Sequence, residues 1–218
     1  MQEISWKDNL RIAWFGCFLT GASISLVVPF MPIFVEQLGV EGDQVAFYSG
    51  LAISVSAVSA AFVSPIWGIL ADKYGRKPMM IRAGLAMTIT MGGLAFVPNI
   101  FWLLFLRFLN GVFTGFVPNA TALIASQVPK DKSGYALGTL STGVVAGTLT
   151  GPFVGGLIAE FFGIRNVFLF VGSFLFLAAI LTILFIKEDF QPVTKEKALP
   201  TKELFKSVKY PFLLINLF

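Results

Sequence analysis

Between Arg11 and Glu36 the chain carries no charged side chain, and the same holds from Gln44 to Ala71, Ala83 to Leu106, Phe108 to Pro129, Ser133 to Ala159 and Asn166 to Ile186. Each window is about 20 residues or longer, the length an α-helix needs to cross the hydrocarbon of a bilayer. A soluble domain cannot be built this way, because it needs charge at short intervals to cover its surface. The composition agrees: 56% of the 218 residues are hydrophobic, 13% are charged and the mean hydropathy is +0.81. The bilayer is the solvent, and the expected fold is an all-α polytopic membrane protein.

Adjusting the windows for turn signals gives spans at residues 12–35, 45–70, 80–97, 100–126, 135–159 and 167–186. The turn between the third and fourth is placed at Pro98-Asn99, which puts Arg107 inside the membrane; a turn at Asn110-Gly111 would leave the fourth span short. The first run is too long for a signal peptide, contains Pro29 and Pro32, lacks a small-residue cleavage site and is followed by further spans, so it reads as a retained helix. Residues 187–209 form the single long polar stretch, read either as a solvated central loop or as a short interfacial helix carrying Leu204, Phe205 and Val208. "YPFLLINLF", residues 210–218, reads as the start of a seventh span.

Lysine and arginine are unevenly shared between the two sides of these spans. Lys7, Arg11, Lys73, Arg76, Lys77, Arg82, Lys130, Lys132 and the lysines from Lys187 to Lys209 fall on one side. The other side holds Arg165 beside Glu36, Glu41, Asp43 and Glu160. By the positive-inside rule the N-terminus is expected in the cytoplasm of a cell whose plasma membrane the chain crosses. The net charge of +4 follows from that topology and not from a basic nucleic-acid-binding face. Histidine is absent and Cys17 is the one cysteine, which removes histidine proton relays, disulfide frameworks and His/Cys metal sites. No enzyme activity, metal or cofactor is expected. A membrane protease would need an activating base beside its serine, and an ATP-driven pump would need a P-loop; neither pattern occurs.

Two stretches repeat one another. "GILADKYGRKP", Gly68–Pro78, aligns with "GLIAEFFGIRN", Gly156–Asn166, at a constant offset of 88 residues: Gly68 with Gly156, Ala71 with Ala159, Asp72 with Glu160, Tyr74 with Phe162 and Gly75 with Gly163. Each copy ends the second helix of a set of three, and the two copies fall on opposite sides of the membrane. This is the pattern of two three-helix repeats in inverted orientation, an architecture of secondary transporters.

Three motifs then resemble those of the major facilitator superfamily, in its drug:proton antiporter branch. "GILADKYGRKP" resembles the family's loop motif, with Gly68, Asp72, Gly75, Arg76 and Lys77 on its positions. "LLFLRFLNG" resembles the fourth-helix motif through Leu103, Arg107 and Gly111, with Asn110 where glutamine is usual. "GTLTGPFVGG" fills each fixed place of the antiporter motif with Gly147, Gly151, Pro152, Gly155 and Gly156. "PFMP" resembles the end of a further exporter motif, but Ala22-Ser23 stands where Leu-Gly is expected. The resemblance covers essentially the whole chain and implies the N-terminal six-helix half of a proton-coupled multidrug efflux transporter.

What the resemblance implies for each residue is specific. The loop motif is expected to latch the cytoplasmic side against the other half, its glycines making a corner and Asp72 facing a helix N-terminus. Arg107 is expected in proton coupling, since a guanidinium within a span is costly unless paired; a purely structural pairing with a carbonyl is the alternative. The glycines of the third motif, with Gly143 ahead of them, recur every four residues and allow close helix approach, while Pro152 favours a bend. Trp14, Phe15, Phe18, Phe113 and Phe116 are candidates for an aromatic pocket taking lipophilic, cationic drugs. No acidic residue falls in the middle of a span, so the proton-carrying carboxylate is expected in the second six-helix half, with which this unit would pair. The chain is thus expected to be a fragment or truncated product; an uptake symporter and a non-transporting assembly protein are the alternatives.

Overall fold

The computed structural model describes residues 5–190, so the expectations for residues 191–218, including the seventh span, lie outside it. Eight α-helices make up the described chain: α1 (Trp6–Val27), α2 (Met31–Gln37), α3 (Gln44–Tyr74), α4 (Arg76–Gly93), α5 (Ile100–Phe113), α6 (Phe116–Gln127), α7 (Ser133–Phe162) and α8 (Ile164–Phe185). Among the described residues there is no β-strand. Six continuous helical stretches are long and apolar enough to cross a membrane: Trp6–Gln37, Gln44–Tyr74, Arg76–Phe96, Ile100–Gln127, Lys130–Phe162 and Ile164–Phe185. Helix is the expected answer here, because in hydrocarbon each backbone N–H and C=O must be satisfied within the segment.

Two of the six stretches are interrupted within their length. The first passes through a 3-10 turn, Val28–Phe30, before α2, at the point where Pro29 and Pro32 each remove a backbone donor. The fourth is divided at Thr114-Gly115, where Gly115 adopts φ +129°. This break was not expected from the hydropathy, which runs through it unchanged. Asn99 opens the fourth stretch, its side-chain oxygen accepting from the Trp102 amide at 3.2 Å.

Packing follows the inverted repeat. Helix α1 packs against α7, and its counterpart in the second repeat, the α5/α6 pair, packs through α5 against α3; α4 and α8, which are one another's counterparts, pack together. The further pairings, α1 with α8 and α5/α6 with α4, are exchanged by the same operation. The two corners have one backbone geometry: Gly75 has φ 100° and ψ 161°, Gly163 φ 83° and ψ 159°, a region essentially closed to residues with a Cβ. In each, the glycine amide closes the preceding helix, Gly75 on the Ala71 carbonyl at 2.9 Å and Gly163 on that of Ala159 at 3.0 Å.

Two apolar cores result. One, around Phe34, Phe168, Met91 and Leu103, lies toward the Gly163 end; the other, around Met80, Phe116, Leu123 and Leu140, lies toward the Gly75 end. Helices α3 and α7 leave long apolar faces uncovered, with Phe62, Ile69, Leu149 and Phe153 each at least 70% exposed.

Candidate functional site

The Gly75 corner is tied to the far end of the described chain. The Glu188 carboxylate accepts from the backbone N–H of Arg76 at 2.8 Å and of Lys77 at 2.7 Å, capping α4 where its free donors and positive dipole end attract an anion. Lys77 answers in the opposite sense: its Nζ donates to the carbonyls of Ile183 at 3.0 Å and Ile186 at 2.6 Å, at the C-terminus of α8. Nearby, Asn9 and Gln127 converge on the Lys187 backbone, fastening the ends of α1 and α6 to it. Asp72, near the end of α3, pairs across the Gly75 corner with Arg76, the first residue of α4, and its side chain stays exposed. By its neighbours in sequence Glu188 belongs to the polar stretch after the sixth span, and a cap supplied from 112 residues away leaves no local signal.

At the other corner, Arg165 occupies the position equivalent to Lys77. Its Nη1 donates to the carbonyls of Ala95 at 3.1 Å and Val97 at 3.3 Å, which end the third stretch. Ala95 is itself equivalent to Ile183, so the two basic residues make one interaction twice, related by the inverted repeat. Glu160, equivalent to Asp72, is exposed and makes no ion pair among the described residues.

Arg107 is 6% exposed, on α5 where it meets α3 and α4. Its Nε donates to the Ala52 carbonyl at 3.1 Å and its Nη1 approaches the Met91 sulfur at 3.7 Å. The same face holds further polar contacts: Ser56 to the Arg107 carbonyl at 2.7 Å, and Thr90 to the Asn110 side-chain oxygen at 3.2 Å. Gly111 lets α5 approach the backbone of α3, since a Cβ there would overlap Ser56 and Ser59. In this conformation no carboxylate faces Arg107; every Asp and Glu among the described residues lies at a helix end or in a connection.

The third motif lies on the seam between α1 and α7. Gly143, Gly147, Gly151 and Gly155 follow α1 in register, against Trp14, Phe18, Ala22 and Leu26 with Phe30, and a Cβ at Gly143 or Gly151 would come within 2.7 Å of a carbonyl oxygen of α1. Gly21 makes the reciprocal approach to Val144. Pro152 cannot donate to the Thr148 carbonyl, and Ser25 Oγ takes that carbonyl at 2.7 Å instead. Gly156, the last motif position, has open space where its Cβ would point.

The aromatic candidates are dispersed. Trp14 stacks on Phe18 with ring centres 5.8 Å apart, Phe15 lies beside Phe18 at 6.1 Å, and Trp14 Nε1 donates to Thr142 at 3.0 Å. Phe116 is buried against Gly16 and borders a cavity of about 430 Å³ between α1, α3 and the α5/α6 break. Phe113 lies 6.3 Å from Trp67, which borders the same cavity. Gly68 and Arg76 of the loop motif and Gly111 of the fourth-helix motif also line it, so this cavity brings parts of two motifs together; Arg107 and the α7 glycines stand outside it.

With this arrangement in view, comparison with known proteins is direct. The profile of the Major Facilitator Superfamily matches residues 13–218. The chain belongs to that superfamily. It is therefore a multi-pass membrane protein of a transporter family. It is 87% identical, over its whole length, to "Multi-drug resistance efflux pump PmrA" of Streptococcus pneumoniae, of which it covers 55%. It is 56% identical to the PmrA homolog of Lactococcus lactis and 52% identical to "Multidrug resistance protein MdtG" of a Rahnella strain, in each case over 99% of the chain and little more than half of the relative. The chain thus spans about half the length of the curated relatives it matches. Among solved structures it superposes on the human organic anion transporter MFSD10 with a TM-score of 0.75, over 91% of this chain and 52% of that one; at 17% identity this is a likeness of fold.

Proposed function

We propose that this six-helix unit is the first half of a superfamily transporter that expels lipophilic, cationic drugs from the cell in exchange for protons, by alternating access. The observation that carries the reading is the 87% identity, along the entire chain, to a relative named as a multidrug efflux pump. The Gly75 end faces the cytoplasm, in keeping with its lysines and arginines. Asp72, exposed on that corner, and its partly buried partner Arg76 form one face of a cytoplasmic latch whose other face belongs to the second six-helix half. The α7 glycines keep α1 and α7 at a fixed separation, so that the unit rocks as a block. Arg107 holds a positive charge at membrane depth and biases the protonation of a carboxylate contributed by the second half. Trp14, Phe18 and Phe113 offer aromatic surface to the drug, while Phe116, buried against Gly16, shapes the cavity wall.

The test is gradient-dependent dye efflux from cells making the whole transporter. Efflux stops when the proton gradient is collapsed, and Arg107→Ala abolishes it while membrane insertion persists. Dye uptake down the proton gradient would point to a symporter. Undiminished pumping by Arg107→Ala would make that residue a structural one.

A further inference from the structure

The charge pattern groups Arg82 with the basic residues of the Gly75 end; the structure places it on α4 between Trp67 and the broken fourth stretch. Its guanidinium carbon lies 3.4 Å from the centre of the Trp67 ring, a planar cation in contact with the face of an indole. Its Nη2 donates to the Thr114 carbonyl at 3.2 Å, while Trp67 Nε1 donates to the Val112 carbonyl at 2.7 Å. Val112 lies in the last turn of α5 and Thr114 at the step before α6 begins, so both carbonyls belong to the end of α5. Non-helical backbone at membrane depth persists only where other groups satisfy it. Here one residue of α3 and one of α4 do so, and they are in contact with each other. The guanidinium's Nε and Nη1 are buried without a hydrogen-bond partner among the described residues, so the Trp67 face and the Thr114 bond are the contacts that hold it. The 430 Å³ cavity opens on this step, with Thr114 and Gly115 on one wall, Trp67 on another and Arg76 of the corner at its edge.

We infer that Arg82 is a positioning residue for transport: through Trp67 and the Thr114 carbonyl it fixes the break in the fourth stretch and with it the angle of α6 over the cavity beneath the cytoplasmic corner. The inference rests on the transport reading above. Both parts of the side chain are required, the plane that meets the ring and the fork that reaches the carbonyl, so lysine cannot replace it.

In the whole transporter, with membrane amounts matched by immunoblot, Arg82→Gln is expected to lower the maximal efflux rate at least tenfold and to leave KM within threefold. Arg82→Lys recovers less than a third of the loss. Trp67→Phe, which keeps an aromatic face but loses the N–H, lowers the rate about threefold, and the double variant Arg82→Gln with Trp67→Phe is no worse than Arg82→Gln alone. A readout independent of transport uses Thr20→Cys, a cavity-lining reporter, with all other cysteines replaced: Arg82→Gln speeds its maleimide labelling at least fivefold. Wild-type rate and labelling in Arg82→Gln would overturn the inference, as would full recovery with Arg82→Lys, which would leave charge alone as the requirement. Should Arg82→Gln fail to reach the membrane, wild-type rates and labelling in both Arg82→Lys and Trp67→Phe would overturn it, and the losses stated would support it. If the parent transporter shows no gradient-driven efflux, the transport reading fails, while the labelling still decides whether Arg82 holds the break.

Discussion

The corners at Gly75 and Gly163 are built on one plan and carry different side chains. Both turn on a glycine with φ between 80° and 100°, both close the preceding helix on the carbonyl of an alanine, and both send a basic side chain to the C-terminal carbonyls of the partner helix. That shared part consists of contacts made within the unit itself, helix closure and helix-end pairing, and so serves the fold. Among the described residues the Gly75 corner adds a helix cap from Glu188 and an Asp72–Arg76 pair that the Gly163 corner does not have, and it borders a cavity. What the first corner has and the second lacks marks the residues that answer to something beyond the bundle's own packing.

The largest expected effect separates the corners by function. Asp72→Asn should cut drug efflux by the whole transporter at least tenfold at unchanged membrane abundance, and Glu160→Gln, its counterpart, should stay within twofold. Equal losses would erase the distinction.

The next contrast concerns stability, read by thermal unfolding of the purified transporter. Gly163→Ala should cost about 1–3 kcal/mol, the strain of a Cβ in a region essentially reserved for glycine. Gly75→Ala should cost about 1 kcal/mol more, because its Cβ would lie 2.9 Å from a Glu188 oxygen and displace the cap. Lys77→Ala and Arg165→Ala are expected to lose about 1–2 kcal/mol each, from charged hydrogen bonds to helix-terminal carbonyls that are partly open to solvent. Here the corners should behave alike, and a loss confined to Lys77 would place that residue with the gate. The smallest effect is expected from Glu188→Gln, about 0.5–1 kcal/mol, the loss of a negative charge at a helix N-terminus whose hydrogen bonds glutamine partly keeps.

Much of this contrast can be read in the sequence. The charge-free windows announce six membrane helices, and the repeated Gly-x-x-Ala-acid pattern announces two corners of one kind. The every-fourth glycines announce a close helix seam, and the structure shows what they approach, the backbone of α1 from Trp14 to Leu26. Three features escaped for physical reasons. Glu188 caps a helix more than a hundred residues away, and a polar residue after an apolar run looks like solvent-facing loop from its own neighbourhood. Arg82 sits two turns inside α4, close enough to the corner's charges to be counted among them, and only the Trp67 contact distinguishes it. The break at Thr114-Gly115 is silent in hydropathy, because the residues on each side are apolar; the signal available was the sequence Thr-Gly-Phe-Val-Pro, a glycine followed three residues later by proline, which fits a helix end and a new first turn.

The central claim is that the Gly75 corner works in proton-driven export while its twin only holds the fold. Dye accumulation in acid-inside everted membrane vesicles containing the whole transporter tests it most directly. The account predicts accumulation with the parent protein and with Glu160→Gln, none with Asp72→Asn, and immediate loss when nigericin collapses the pH gradient. Accumulation that survives nigericin, or that proceeds equally with Asp72→Asn, would contradict it.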